Sequence, residues 1–163
     1  MHKFSSILDY QQDALSPDIW NPRQQMRMGI KSFILSSLDG LFDSLHIEGK
    51  TEFVSDILIG SSLATYFYKD DSDLDIKVVV DLEKFRFYNP HFSTFSDEDL
   101  LEFLINVGRE NVWTTAVIPG TMHPMDFYFY SIGEINPLNL IKYDSLYSCK
   151  NDEWIKEPKK LPE

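Results

Sequence analysis

The chain has 163 residues, of which 43% are apolar and 25% charged, a composition typical of one soluble globular domain over 1–163. Its 15 Lys and Arg residues against 26 Asp and Glu residues give a formal net charge of −11. This charge argues against a general nucleic-acid binder, because phosphate contacts need clustered basic side chains. The single cysteine, Cys149, excludes an internal disulfide and a zinc site built on several thiolates.

The sequence has no feature typical of a secreted or membrane protein. No signal-peptide-like apolar segment follows Met1, and no run approaches the roughly 18 apolar residues of a membrane span. The lone thiol fits a reducing compartment. We therefore expect a cytoplasmic protein without membrane contact.

The amino-terminal part is predicted to form an arm, 1–20, followed by a long helix over 21–47. Asn21 suits the cap position of this helix and Pro22 its first turn. Apolar residues then recur at steps of three and four, which predicts one apolar stripe on the helix. The stripe consists of Met26, Ile30, Phe33, Ile34, Leu38, Leu41, Phe42 and Leu45.

Four strands are predicted from runs of apolar or alternating residues. They span 53–60, 73–81, 112–118 and 124–131. Between the second and third strands we expect a loop at 83–95 and then a helix. Ser96 is the predicted cap of that helix and Gly108 its carboxyl-terminal stop.

The charged tail, 150–163, is expected to be an extended strap or a loose end, with Trp154 and Ile155 as its anchors. The order of helices and strands predicts an α/β or α+β fold. In this fold a mixed sheet carries its helices on one face.

The strand at 73–81 carries acidic residues on one face. Because side chains alternate along a strand, Asp73, Asp75 and Lys77 share a face whose opposite side is wholly apolar. Two carboxylates about 6–7 Å apart repel each other, and a divalent cation such as Mg²⁺ relieves that repulsion. This pattern predicts a metal–phosphate site, in which Lys77 either neutralises phosphate or pairs with Asp75.

Two further segments fit the same chemistry. Asp126 lies on the polar face of the strand at 124–131, so three carboxylates converge if that strand neighbours 73–81. Upstream, the first strand runs into Gly60-Ser61-Ser62. Glycine lets the backbone approach a ligand closely, and hydroxyl and amide groups at the start of a short helix can hold phosphate oxygens.

The ordered set of Gly60-Ser61, Ser72-Asp73-Leu74-Asp75 and the later Asp126 resembles the nucleotidyltransferase superfamily of polymerase-beta type. The resemblance covers about residues 53–131, the motif-bearing core. Nothing after residue 131 is long enough for a further helical domain, so we expect a minimal, single-domain member of that superfamily.

The resemblance implies transfer of a nucleoside monophosphate from a nucleoside triphosphate, such as ATP, to a hydroxyl group, with release of pyrophosphate. Asp73 and Asp75 would hold two Mg²⁺ (or Mn²⁺) ions, and Asp126 would complete the catalytic metal and orient or deprotonate the hydroxyl. The phosphates would be bound by Gly60, Ser61, Ser62 and Lys77. The charge of −11 favours a protein side chain or a small molecule as acceptor over a long nucleic acid.

Three other interpretations start from the same residues. The first is an inactive protein of the same fold that acts as a regulatory, antitoxin-like binding partner; the second is a structural interaction protein with an acidic face. A calcium loop starting at Asp71 fails, because Ile76 and Leu82 stand where glycine and glutamate are required. His123, three residues before Asp126, lies within reach of the site, although a lone histidine is more often structural.

Overall fold

The computed structural model describes residues 11–111, 116–133 and 145–162. Its helices are α1 (Met28–Ser44), α2 (Lys50–Phe53), α3 (Leu82–Tyr88) and α4 (Asp97–Glu110). Its strands are β1 (Val54–Ile59), β2 (Leu74–Val80), β3 (Met125–Ser131), β4 (Leu146–Ser148) and β5 (Glu153–Lys156). Within the described ranges, no helix combines the length and the hydropathy that a membrane span needs.

The five strands form one open sheet in the order β3-β2-β1-β4-β5. Only the β2–β3 pair is parallel; the other neighbouring strands are antiparallel. The predicted mixed sheet is therefore confirmed. The parallel pair brings the amino-terminal ends of β2 and β3 to the same edge, and this edge is where the acidic residues lie.

The hydrophobic core lies between one face of this sheet and the helices. The rings of Phe42 from α1 and Phe129 from β3 meet at 6.2 Å, and Gly108 of α4 lies directly against Phe129. Both helices thus cover the same face of the sheet, as predicted. The opposite face carries a smaller buried cluster, which consists of Leu58, Val79 and Leu146.

The first helix begins later than its sequence pattern predicts. It starts at Met28 rather than near Asn21, and it ends at Ser44 rather than at residue 47. The Asn21 side chain accepts hydrogen bonds from the backbone N–H groups of Arg23 and Gln25, at 2.9 and 3.1 Å. Asparagine stabilises turns by this kind of local bond, so Asn21 closes a turn instead of starting the helix.

The predicted loop at 83–95 is also wrong in its first half. Residues 82–88 form helix α3, which Asp81 caps by accepting a hydrogen bond from the N–H of Lys84 at 3.1 Å. Phe85 of this helix is fully buried. The next predicted cap is confirmed, since the Ser96 hydroxyl accepts from the N–H of Asp99 at 3.1 Å at the start of α4.

Both ends of the described chain are part of the fold. Part of the predicted tail forms the edge strand β5. Trp154 of this strand packs against the rings of Trp20 and Tyr147, whereas Ile155 is 39% exposed. Trp20 of the predicted arm is almost fully buried. The predicted strand 112–118 lies partly outside the described residues, and within it Val117 forms only an isolated bridge with Pro124.

Gly49 precedes α2 with φ of +80°, and a Cβ at this position would lie 2.4 Å from the ring carbon Cγ of Tyr88. Gly49→Ala is therefore expected to lower the free energy of unfolding by about 1–3 kcal/mol, through backbone strain and displacement of the ring. Chemical denaturation measures this change.

Gly29→Ala is the matched control for this substitution. A Cβ at Gly29 meets nothing within 4 Å, and the residue lies in α1. Alanine there is expected to be neutral or to stabilise by up to about 1 kcal/mol. Equal stability of the two variants would show that Gly49 is not constrained.

Candidate functional site

Three carboxylates meet at the amino-terminal edge of β2 and β3. In the parallel ladder Asp75 lies directly opposite Asp126, and Asp73 immediately precedes β2. Neighbouring strands are about 4.8 Å apart, so the two paired aspartates are in close proximity. The prediction that the strand containing Asp126 lies beside the acidic strand is confirmed; the catalytic roles of these residues stay predictions.

The carboxylates influence one another electrostatically. The pKa of Asp126 is raised, first by partial burial, then by the negative charges of Asp73 and Asp75, and finally by a side-chain hydrogen bond with Asp73. The pKa values of Tyr128 and Tyr130 on β3 are raised as well, by burial and then by the charge of Asp75. This edge of the sheet therefore attracts protons and cations.

Lys77 follows the carboxylates on the same face of β2. It is only 6% exposed, and its neighbours across the ladders are Leu58 on β1 and Tyr128 on β3. Its side chain therefore lies within the protein, behind Asp75. The two roles expected from the sequence, neutralising phosphate and pairing with Asp75, stay predictions.

The Gly60-Ser61 turn is bonded to the acidic segment. The Ser61 hydroxyl donates to the carbonyl oxygen of Asp73 at 3.2 Å and accepts from the N–H of Asp75 at 3.5 Å. Ser61 and Gly60 are buried, whereas Ser62, at the start of a 3₁₀ turn, is half-buried. The turn and the acidic strand are thus adjacent, but the Ser61 hydroxyl holds the backbone around Asp73 rather than pointing outward.

The donor chemistry of this edge suits a hard divalent cation, since Mg²⁺ prefers carboxylate oxygens. In the present side-chain orientations, no three Asp, Glu, His or Cys residues within 11–111, 116–133 and 145–162 are grouped around one ion position. Asp73 lies close enough to Asp126 to help raise the pKa of that carboxyl. Cation binding here therefore requires at least one carboxylate to turn.

His123 does not point at the carboxylates. Its Nδ1 lies 2.7 Å from the carbonyl oxygen of Ser72, and its Nε2 lies 3.2 Å from a carboxylate oxygen of Asp18. The side chain is 1% exposed. No local pattern points to Asp18, because its partner His123 is 105 positions away along the chain.

Two cavities are lined by described residues other than the three aspartates. One of about 500 Å³ is lined by Asp18, Arg27, Phe33 and Ile118, among others. Another, of about 280 Å³, lies between α1 and β1. Neither is lined by the three aspartates. Cys149 plays no part in the site: it is fully buried, and burial raises the pKa of its thiol to about 12.

Comparison with known proteins adds no assignment. No protein-family model, no curated protein and no solved structure matches this chain. The candidate site is accordingly defined by its own geometry: an acidic strand edge, a buried lysine behind it and a serine turn bonded to it.

Proposed function

We propose that the protein is a Mg²⁺-dependent nucleotidyltransferase that transfers a nucleoside monophosphate from a nucleoside triphosphate to a hydroxyl group and releases pyrophosphate. The observation that carries the proposal is the register of β2 and β3, in which Asp75 lies opposite Asp126 with Asp73 one residue before the strand. Keeping mutually repelling acids together destabilises a fold unless they bind something.

Each residue has a distinct role under this proposal. Asp73, Asp75 and Asp126 hold Mg²⁺, or Mn²⁺ in its place, which when bound neutralises phosphate charge and activates the phosphorus centre. Asp126 is also suited to take the proton of the acceptor hydroxyl, because its raised pKa makes it a stronger base than an ordinary aspartate.

Two residues behind the carboxylates hold these acids in place. Ser61 secures the backbone at Asp73 and Asp75, and Lys77 offsets part of their charge from within the protein. Ser62, half-buried at the start of the following turn, is better exposed than Ser61 to bind a phosphate oxygen. A protein side chain or a small molecule in the cytoplasm is the acceptor class favoured by the net charge of −11.

A second candidate function is a non-catalytic module that binds nucleotide or a protein partner through the same edge. The observation favouring it is the Ser61 hydroxyl, whose bonds to the main chain of Asp73 and Asp75 leave it unsuited to phosphate. Such a module binds nucleotide without turnover, so transfer must be measured separately from binding.

The first experiment measures thermal shifts with ATP, GTP, CTP and UTP, each with and without Mg²⁺. A nucleotide at 100 times its dissociation constant adds about 2.7 kcal/mol of stability, a readily measured shift. We expect a Mg²⁺-dependent shift in the wild type and its loss in Asp73→Asn/Asp75→Asn. The matched control is Asp70→Asn/Asp71→Asn, which changes the charge equally at two exposed neighbouring positions.

The outcomes separate the candidates. A shift that only the Asp73→Asn/Asp75→Asn variant loses supports the metal–nucleotide site, and radiolabelled transfer to candidate acceptors then distinguishes an enzyme from a binding module. A shift that both double variants lose reflects general electrostatics. No shift with any nucleotide overturns the proposal at ordinary affinities and leaves an acidic face of structural or interaction function.

A further inference from the structure

His123 connects three separate segments at the acidic edge. Its ring joins the 15–20 segment, through Asp18, to the turn before β2, through Ser72. Its own main chain belongs to the turn before β3, where its carbonyl accepts from the N–H of Ile118 at 2.9 Å. With 1% of its surface exposed, the imidazole is enclosed by these segments.

The ring nitrogens have little choice of hydrogen-bond role. A carbonyl oxygen only accepts, so the contact between Nδ1 and Ser72 is a hydrogen bond only if Nδ1 carries a proton. The side-chain N–H then donates to the residue immediately before Asp73. An ionised carboxylate also only accepts, so the 3.2 Å contact of Nε2 with Asp18 is a hydrogen bond only when Nε2 carries a proton as well.

The position of the backbone at Asp73 depends on hydrogen bonds from side chains outside the strand. Strand β2 begins only at Leu74, whose N–H donates to the carbonyl of Pro124 at 2.8 Å. The two carbonyls on either side of the Asp73 Cα are both held from outside the strand ladder. The carbonyl of Ser72 is held by His123, and that of Asp73 by the Ser61 hydroxyl.

We infer that His123 is a positioning residue for the acidic site: its Nδ1–H fixes the main chain immediately before Asp73, the backbone from which the Asp73 carboxylate turns toward a cation shared with Asp75 and Asp126. The inference rests on the proposed function in that it needs these three carboxylates to bind a divalent cation. It adds a residue that does not itself touch the cation or the nucleotide.

The size of the effect follows from the behaviour of outer-shell residues. Removing a group that orients a metal ligand typically weakens metal binding by about 10–100-fold. Loss of the Nδ1–H donor is therefore expected to raise the dissociation constant for Mn²⁺ alone, measured by electron paramagnetic resonance, at least about tenfold. Mn²⁺ is the probe because it binds the same hard oxygen ligands and its free form is directly observed.

Two isosteric variants separate positioning from simple folding. In His123→Asn the side-chain amide reaches about as far as Nδ1, so it keeps a donor for Ser72. In His123→Gln the amide reaches about as far as Nε2, so it keeps a donor for Asp18 instead. We expect His123→Asn to retain Mn²⁺ affinity and His123→Gln to lose it, whichever variant is the less stable. The control is His91→Asn, at an exposed histidine.

Nitrogen-15 spectra of the wild-type imidazole provide a test that needs no folded variant. Nδ1 is expected to carry a proton, and a neutral ring protonated only at Nε2 would overturn the inference. Equal Mn²⁺ affinity in wild type and His123→Gln would also overturn it, as would a wild type that binds no Mn²⁺. Mn²⁺ binding without any nucleotide shift would count against the proposed function alone and would leave the positioning role supported.

Discussion

Trp20→Ala is expected to lower the free energy of unfolding by about 3–5 kcal/mol, the usual cost of truncating a buried tryptophan. The Trp20 ring is 2% exposed and packs at 4.8 Å against Tyr147 and at 4.7 Å against Trp154. Its Nε1–H donates to the carbonyl of Leu63 at 2.7 Å. Truncation therefore leaves a cavity and a buried carbonyl without its partner.

Denaturant titration and thermal unfolding measure this loss, which for a domain of this size corresponds to a decrease of roughly 10 °C in Tm. Trp20→Phe keeps an aromatic ring but loses the hydrogen bond, so an intermediate loss of about 1–3 kcal/mol is expected. Trp154→Ala, at a half-buried position on the edge strand, is expected to cost less than Trp20→Ala. An unchanged Tm for Trp20→Ala would mean that residues 15–20 are not part of the core.

The effect of Trp20 extends to the candidate site. Leu63 lies in the 3₁₀ turn that directly follows Ser61 and Ser62, and Asp18 lies two residues before Trp20. One indole thus secures both the turn after β1 and the segment that contacts His123. Since these contacts are in the core, the site edge is expected to lose order when the core is weakened.

The parts of the fold that the sequence predicts well are those whose signal is local. Runs of apolar or alternating residues predict β1, β2 and β3 to within one residue at each end, because at least one face of each strand has to be buried. The same alternation placed Asp75 and Asp126 on the polar side of their strands. The cap at Ser96 was also evident, since its hydrogen bond closes within four residues.

The predictions from sequence fail where one local pattern is compatible with two structures. They also fail where a residue far away in the chain determines the structure. Asn21 followed by proline is typical of a helix start, yet the same side chain closes a turn, and only the packing of Trp20 selects between them. Asp81 extends the pattern of β2 but caps α3. Trp154 is predicted as an anchor of the tail, but its partner Trp20 lies 134 positions away and no local pattern identifies it.

The candidate site shows the same division. Its carboxylates were found from strand alternation, but their meeting depends on the parallel register of β2 and β3, which only the tertiary fold determines. The phosphate-binding role expected of Ser61 stays a prediction, and the bonds of its hydroxyl to the main chain of Asp73 and Asp75 are not evident from the sequence because they lie across a turn. Asp18 is not identified from the sequence, because the contact of Asp18 with His123 joins distant parts of the chain.

Asp126→Asn is expected to stabilise the protein in the absence of ligands and to abolish the Mg²⁺-dependent nucleotide shift. The native pKa of Asp126 lies above its unfolded value because of burial and the charges of Asp73 and Asp75. The native state therefore holds this proton more tightly than the unfolded chain does. The stability that this proton contributes is present in acid and is lost as the pH rises from about 4, the ordinary value for aspartate, through the raised native pKa.

Asp126→Asn removes this pH-dependent loss of stability. The variant is therefore expected to have a higher free energy of unfolding than wild type at pH 7. This gain should vanish below about pH 3.5, where Asp126 of the wild type is protonated in both the folded and the unfolded state. Asp13→Asn, which removes one carboxylate at an exposed position, is the control. A destabilised Asp126→Asn protein at pH 7 would show that the ionised carboxylate serves the fold. Stabilisation together with lost nucleotide binding is the combination expected of a residue retained for its chemistry rather than for stability.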